Sequence, residues 1–171
     1  MVTAQNAVDP SPERLGASES DRFESAFREV SRSAFLLARQ LGRGTDEARD
    51  IVQEAALQAW RYRSGRVGEF RPWFLTIVYR LCRRRAFEWF PLPTGWDKPV
   101  PAGIDSQIDP DIVAALRTLP TRQRAALWLR YGEDLTISDV ARVMHLTDTA
   151  AKQLLFRGRE GLRQKLTTHE P

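Results

Sequence analysis

The chain has almost none of the residues that build cross-links, metal sites or membrane spans. Its 171 residues contain one cysteine, Cys82, so no disulfide can form within the chain. The two histidines, His145 and His169, lie far apart in the sequence, and no H-E-x-x-H, paired-cysteine, P-loop or G-x-S-x-G motif is present. No apolar run reaches the length of a signal-peptide core or a membrane span. These absences predict a reduced, cytoplasmic protein that is not an enzyme and holds no metal or other cofactor.

The basic charge of the chain is concentrated in one segment. The formal net charge is only +4, but residues 61–85 carry eight arginines and a single acid, Glu69. This segment therefore has a net charge of +7, and the rest of the chain is net acidic. Such a local excess favours a surface that faces a polyanion over a general effect on solubility.

Apolar residues recur at helical spacing in three consecutive segments of the N-terminal half. Their periodicity predicts helices over about 21–41, 45–62 and 71–89. Thr45 is a candidate cap for the second helix, and Pro72 suits the first turn of the third. Two tryptophans and one phenylalanine are candidate core anchors of this three-helix unit: Trp60, Trp73 and Phe74.

Proline-rich segments divide the rest of the chain. Residues 1–17 hold Pro10, Ser11, Pro12 and Gly16 with little apolar content, which predicts a disordered tail before a domain at 18–90. Residues 91–108 are predicted to form an extended linker, because they contain Pro91, Pro93, Pro99, Pro101, Gly95 and Gly103. A second helical unit follows over 109–168. No alternating pattern is long enough for a strand, so the fold class is predicted as all-α, two small helical domains joined by a Pro-rich linker.

The second unit contains a helix-turn-helix pattern over about 136–157. Thr136 and Asp139 have the spacing of a capping box at the start of a short amphipathic helix. The helix breaks at His145, where the usual glycine is missing, so either His145 adopts a left-handed conformation or the turn differs from the usual one. Thr147 then begins a group of polar residues that can cap a longer, basic helix.

The basic second helix has the chemistry of a recognition helix in a DNA major groove. Lys152 and Arg157 can neutralise phosphates, and Gln153 or Arg157 can reach base edges. The same pattern also suits an ordinary pair of amphipathic helices whose basic face is solvated. The helix-turn-helix pattern alone leaves these two interpretations equally open.

Three stretches in register resemble a known family. They are DEARDIVQEAALQAWRY at Asp46–Tyr62, FRPWFLTIVYRLCRRR at Phe70–Arg85, and the whole segment Leu119–Leu166. Together they are similar to the bacterial RNA polymerase sigma factors of the extracytoplasmic-function group. In that group the three stretches correspond to a helix that binds core polymerase, a helix that reads and melts the minus-ten element, and a domain that reads the minus-thirty-five element.

The resemblance implies a role for each stretch. Its polymerase-binding positions fall on Asp50, Gln53, Glu54 and Trp60. Together with the charge and spacing of the residues, it predicts that DNA is bound by Arg71, Arg80, Arg83, Arg84, Arg85, Thr149, Lys152, Gln153, Arg157 and Arg159. Trp73 and Phe74 are candidates for stacking on bases during melting, although both also suit a buried core.

The implied partners are core RNA polymerase, promoter DNA and an anti-sigma factor. The sequence departs from the family at Arg80 and Arg84, where relatives commonly have Asn and Asp, and at Leu154, where many have Arg. A promoter sequence therefore cannot be carried over. The alternative function is a stand-alone helix-turn-helix transcriptional regulator, which would bind duplex DNA without polymerase.

Overall fold

The computed structural model describes residues 12–66, 68–88 and 110–167, and over these residues the chain is helical with no strand. The all-α prediction is therefore confirmed. The predicted linker at 91–108 lies outside the described residues. The helices are α1 (Pro12–Gln40), α2 (Thr45–Arg61), α3 (Phe70–Glu88), α4 (Pro110–Thr118), α5 (Thr121–Leu127), α6 (Ile137–Met144) and α7 (Asp148–Thr167).

Two helix starts differ from the sequence-based expectation. Helix α1 begins at Pro12 rather than near Asp21, so that residues 12–17 of the predicted disordered tail are helical. Proline is tolerated in a first turn, and Glu13, Arg14 and Leu15 that follow it are good helix formers, whereas Gly16 is a poor one. Helix α2 has Gly44 as its N-cap without a side-chain hydrogen bond, and Thr45 is its first helical residue instead of its cap.

Helix α3 is the centre of the N-terminal half and packs against α1, α2 and α6. Its side chains are buried on several sides, since Phe74, Leu75 and Val78 are fully covered. The buried face of α2 is made of small and branched residues such as Ile51 and Ala55. A helix enclosed in this way leaves one strip of its C-terminal part to solvent, and that strip contains Arg80, Arg83 and Arg84.

An aromatic cluster fills the end of the N-terminal half where α1, α2 and α3 meet. Neighbouring ring centroids in it lie 5.1–6.5 Å apart, in stacked, tilted and edge-to-face pairs. The three residues predicted as core anchors all belong to this cluster. Its members are Phe23, Phe27, Trp60, Phe70, Trp73 and Phe74.

The helix-turn-helix is formed as its local sequence signals predict. Thr136 is the N-cap of α6: its Oγ1 accepts from the Asp139 backbone N–H at 3.1 Å and donates to the Asp139 carboxylate at 2.7 Å. His145 ends α6 in the left-handed region, with φ 53° and ψ 52°. The Thr147 hydroxyl then accepts from the backbone N–H of Ala150 and caps α7.

The two halves share one hydrophobic core instead of standing apart. Helix α6 packs on α3, and the buried cluster runs from α1 through α3 into α5, α6 and α7. The guanidinium of Arg124 on α5 donates twice to the carbonyl of Gln40 at the end of α1, at 2.9 and 3.1 Å. Arg71 at the start of α3 pairs with Glu133, beyond the π-helical turn Trp128–Gly132 that follows α5. Among the described helices, none has the length and apolar character needed to cross a membrane.

Candidate nucleic-acid and polymerase interfaces

The exposed face of α7 carries the polar residues that the sequence assigned to DNA reading. Positions 149, 152, 153, 156 and 157 follow the i, i+3, i+4, i+7, i+8 spacing of one helical face, and all five are exposed. The opposite face is buried through Ala151, Leu155 and Gly158. A methyl group at Gly158 would lie 3.1 Å from Leu127, so the glycine lets α7 sit close to α5. The predicted residues Thr149, Lys152, Gln153 and Arg157 are therefore brought together.

Phe156 is a member of this face that the sequence assignment left out. Its side chain is 61% exposed although it is a large aromatic, and around the helix its position lies between Lys152 and Gln153. Phenylalanine on a recognition helix can contact the methyl group of thymine. A large aromatic residue on the polar side of an amphipathic helix is the sequence feature that could have identified Phe156 as a binding residue.

Arg159 lies at the edge of the α7 face. Its guanidinium donates to the hydroxyl of Tyr131 at 3.1 Å, and Tyr131 is itself 57% exposed. Leu154 is half buried and packs on the core. The leucine at this position therefore serves the packing of α7 and does not extend the basic face.

The basic strip is the exposed face of α3 that carries Arg80, Arg83 and Arg84, with half-buried Trp73 and Thr76 at its N-terminal end. These positions follow the i, i+3, i+7, i+10, i+11 spacing of one face. Three of the five predicted DNA-binding arginines of this helix are thus placed side by side. Arg85 belongs to α3, but its side chain is outside the described part of the structure.

Two predicted residues of α3 do not belong to the basic strip. Arg71 points to the opposite side of the helix, where it pairs with Glu133 and donates to the hydroxyl of Ser33 at 3.1 Å. Phe74 has no exposed surface, and its ring stacks on Phe70 in the aromatic cluster. The assignment of Phe74 to base stacking is therefore corrected to a core role, because a buried ring cannot receive a base.

The charge of the segment 61–85 is only partly available on the surface. The guanidinium of Arg63 lies 3.9 Å from the ring centroid of Trp60 and also pairs with Glu19. Arg66 lies over the ring of Phe70 at 5.8 Å. These contacts cover the aromatic cluster, so part of the segment's net charge serves packing of the fold.

Helix α2 presents a face of a different chemistry. Asp50, Gln53 and Leu57 follow i, i+3, i+7 spacing and are all exposed. Leu57 is 69% exposed, the highest value among the large apolar residues of the described chain, and the sequence assignment did not include it. An apolar side chain flanked by an acid and an amide is typical of a protein-binding surface.

Glu54 and Trp60, the other two predicted polymerase-binding residues, are half buried. Trp60 packs edge-to-face on Phe23 at 5.1 Å, beneath Arg63. Glu54 pairs with Arg84 of the basic strip at 3.1 Å. The predicted polymerase-binding and DNA-binding residues are therefore in direct contact across α2 and α3.

Comparisons with known proteins agree with this arrangement. The model of Sigma-70 region 2 matches residues 26–87, and that of Sigma-70 region 4 matches residues 111–162. The sigma factor SigE of Mycolicibacterium smegmatis is 26% identical over 191 residues, covering 99% of this chain and 74% of SigE. SigM of Mycobacterium tuberculosis is 31% identical over 157 residues, covering 84% of this chain and 76% of SigM. The chain spans about half of another match, 52% of SigG of Mycobacterium tuberculosis.

A solved structure supports the fold. The sigma factor RpoE of Bartonella quintana, crystallised with the anti-sigma factor NepR, superposes with a TM-score of 0.68 at 23% identity, covering 87% of this chain and 99% of RpoE. The resemblance found in the sequence is confirmed by these matches, which place both regions in the expected order. The chain belongs to the family of ECF RNA polymerase sigma factors.

Proposed function

We propose that this chain is a non-catalytic specificity subunit that binds core RNA polymerase through α2, reads and helps to open the minus-ten element with α3, and reads the minus-thirty-five element with α7. The observation that carries the proposal is the presence of three exposed faces of distinct chemistry on three helices of one chain. A stand-alone regulator would need only the face of α7.

The α2 face suits a basic protein partner. Asp50 and Glu54 can accept charge-assisted hydrogen bonds from arginine or lysine, and Leu57 can enter an apolar pocket at the centre of the contact. No comparable apolar residue stands among the three arginines of the α3 strip. This difference supports a protein partner for α2 and a nucleic-acid partner for α3.

The α3 and α7 faces suit the two parts of a promoter differently. The α7 face combines cations with an amide, a hydroxyl and an aromatic ring, which is the mixture that reads base edges in a major groove. The α3 strip combines arginines with the half-buried Trp73, which suits the backbone and unstacked bases of a separating duplex. We therefore assign sequence reading mainly to α7 and strand opening mainly to α3.

An anti-sigma partner is part of the proposal. The Bartonella quintana relative was solved with its anti-sigma factor NepR. We propose that a protein of that class binds this chain and competes with core polymerase for it. Added core polymerase should then displace the partner from a purified complex.

The proposal is tested by two substitutions of exposed apolar residues, Leu57→Ser on α2 and Phe156→Ser on α7. Both side chains are well exposed, so neither change should lower the thermal stability of the free protein by more than about 0.5 kcal/mol. Leu57→Ser should weaken binding to core polymerase and leave DNA binding by the assembled holoenzyme unchanged. Phe156→Ser should leave binding to core polymerase unchanged and weaken DNA binding by the assembled holoenzyme. The DNA in this experiment is a promoter library, and the reconstituted holoenzyme transcribes it.

The two candidate functions give opposite results in this experiment. A sigma factor gives promoter-dependent transcripts only with core polymerase. Tight binding to duplex DNA by the chain alone, as a dimer on half-sites one helical turn apart and without effect of Leu57→Ser, would support a stand-alone regulator and refute the proposal.

A further inference from the structure

Two arginines of the basic strip are held to α2 by a continuous chain of hydrogen bonds. Arg80 Nη2 donates to Gln58 Oε1 at 2.9 Å, and Gln58 Nε2 donates to Glu54 Oε1 at 3.2 Å. Arg84 Nη2 donates to that same Glu54 oxygen at 3.1 Å. Gln58 is thus the central member of a network that joins a DNA-facing arginine to a polymerase-facing carboxylate.

The packing of the two helices places these four side chains opposite one another. Glu54 faces Arg84 while Gln58 faces Arg80, so α2 and α3 run antiparallel and each contact lies one helical turn from the other. The buried side of α2 next to Gln58 carries Ala55 and Ala59, both without exposed surface. Small residues let helices approach closely, which brings the glutamine and glutamate side chains within reach of α3.

The amide of Gln58 satisfies both neighbours. Ionised Glu54 can only accept hydrogen bonds and Arg80 can only donate them, so the group between them has to donate on one side and accept on the other. A glutamate at position 58 would repel Glu54, and a lysine would repel Arg80. The same argument fixes the orientation of the Gln58 amide, with its oxygen toward Arg80.

The network treats its two arginines differently. Glu54 compensates the charge of Arg84, because the two form an ion pair. Gln58 is neutral, so it fixes the direction of the Arg80 side chain without compensating its charge. Arg80 is exposed on the basic strip and keeps a full positive charge for a phosphate.

We propose that Gln58 is a positioning residue for promoter binding. It holds the Arg80 guanidinium in place on the DNA-facing strip before DNA arrives, and it ties that guanidinium to Glu54 on the polymerase-facing helix. The inference rests on the proposed function in one respect, namely that Arg80 contacts promoter DNA. Beyond the proposed function, the inference states that Gln58 acts through Arg80.

The test uses holoenzyme reconstituted with core polymerase and its mapped promoter. Gln58→Leu keeps the size of the side chain and removes both hydrogen bonds, so promoter affinity should fall about two- to tenfold. In an Arg80→Ala background the same substitution should change affinity by less than about twofold, because its target is absent.

The salt dependence of binding separates positioning from a general structural effect. Gln58→Glu gives Arg80 a charged partner, so the slope of log affinity against log salt should fall by about one unit, as it should for Arg80→Ala. Gln58→Leu leaves the charge of Arg80 in place, so it should weaken binding with a slope close to that of the parent protein. A purely structural defect would not lower the salt slope in Gln58→Glu while leaving it unchanged in Gln58→Leu.

Gln164→Leu is the matched control. Gln164 on α7 donates to Glu160 at 3.3 Å in the same i, i+4 arrangement as Gln58 and Glu54, and it lies outside both predicted interfaces. Its substitution should leave promoter and polymerase binding unchanged. The thermal unfolding of every free variant is measured in parallel.

The outcomes separate the inference from the function it rests on. If Arg80→Ala does not alter promoter binding, the DNA role of Arg80 is wrong and the inference fails with it. If Arg80→Ala weakens binding but Gln58→Leu has the same effect with and without Arg80, the positioning role alone is refuted. An equal loss of polymerase affinity in Gln58→Leu also refutes it, because the substitution would then be disturbing the α2 face.

Discussion

The guanidinium of Arg71 on α3 is paired with the carboxylate of Glu133 in the C-terminal half, across 62 positions of sequence. The Glu133 side chain is only 3% exposed, whereas that of Arg71 is 49% exposed. The same Nη2 atom also donates to the hydroxyl of buried Ser33 on α1. One arginine that the sequence assigned to DNA therefore connects three parts of the fold.

Removal of Arg71 should destabilise the protein. Arg71→Ala leaves the buried carboxylate of Glu133 without its partner, and the expected loss is about 1–3 kcal/mol, below the value for a fully buried pair because Arg71 is half exposed. Urea unfolding of the free protein measures this loss. Arg83→Ala, on the same helix and fully on the solvent side, is the control and should change stability by less than about 0.5 kcal/mol. Equal stability of the two variants would contradict the structural role of Arg71.

Local features of the fold could be predicted from the sequence, because their causes lie within a few residues. The caps of α6 and α7 depend on Thr136 and Thr147, and the left-handed turn depends on His145; all three form as expected. The resemblance to the family also rests on short, ordered stretches. These signals predicted the all-α fold class and the position of the helix-turn-helix.

The direction of the α3 side chains could not be predicted in the same way. Apolar residues occur almost all round this helix, since it packs against α1, α2 and α6, and its periodicity therefore does not reveal the open strip. Trp73 and Phe74 are neighbours in sequence, yet only Trp73 borders the strip. The partners of Arg71 and Arg80 are 62 and 22 residues away, and no pattern along the chain connects them.

Arg83 and Arg84 should respond differently to charge reversal. Arg83 is exposed, and the described part of the structure shows no hydrogen bond or ion pair from it, so Arg83→Glu should weaken promoter opening and leave polymerase affinity intact. Arg84→Glu places a carboxylate beside Glu54, a predicted polymerase-binding residue, so it should weaken both activities. Binding to core polymerase and the formation of open complexes are measured separately. Loss of polymerase binding in Arg83→Glu would contradict this division.

The α7 face should contribute to promoter binding through phosphate contacts. Lys152→Ala and Arg157→Ala should each weaken holoenzyme binding, and each lost phosphate contact should lower the salt slope by about one unit. Arg163→Ala is a control, because Arg163 lies on the same helix and pairs with Glu160. The measurement is promoter affinity at several salt concentrations. A slope unchanged by Lys152→Ala would show that this residue does not contact the backbone.

The contact between the two halves should open when the protein binds a promoter. The names of the minus-ten and minus-thirty-five elements place them about 25 base pairs apart, which at about 3.4 Å per base pair is about 85 Å along B-form DNA. A compact chain of this length has a radius of gyration of about 15 Å and is about 40 Å across. In the packed arrangement α3 and α7 therefore cannot reach both elements at once. The contacts of Arg71 with Glu133 and of Arg124 with Gln40 have to break on the promoter.

Fluorescence energy transfer between the two halves measures this opening. Dyes attached at Ser25→Cys on α1 and Lys165→Cys on α7, both exposed positions, report the distance in a background where Cys82 is replaced by alanine. The distance should increase by at least about 30 Å when core polymerase and promoter DNA are added. A second pair within the N-terminal half, Ser25→Cys with Arg49→Cys, should not change. If both pairs keep their distances on the promoter, the two halves stay packed and α3 and α7 cannot read separate promoter elements.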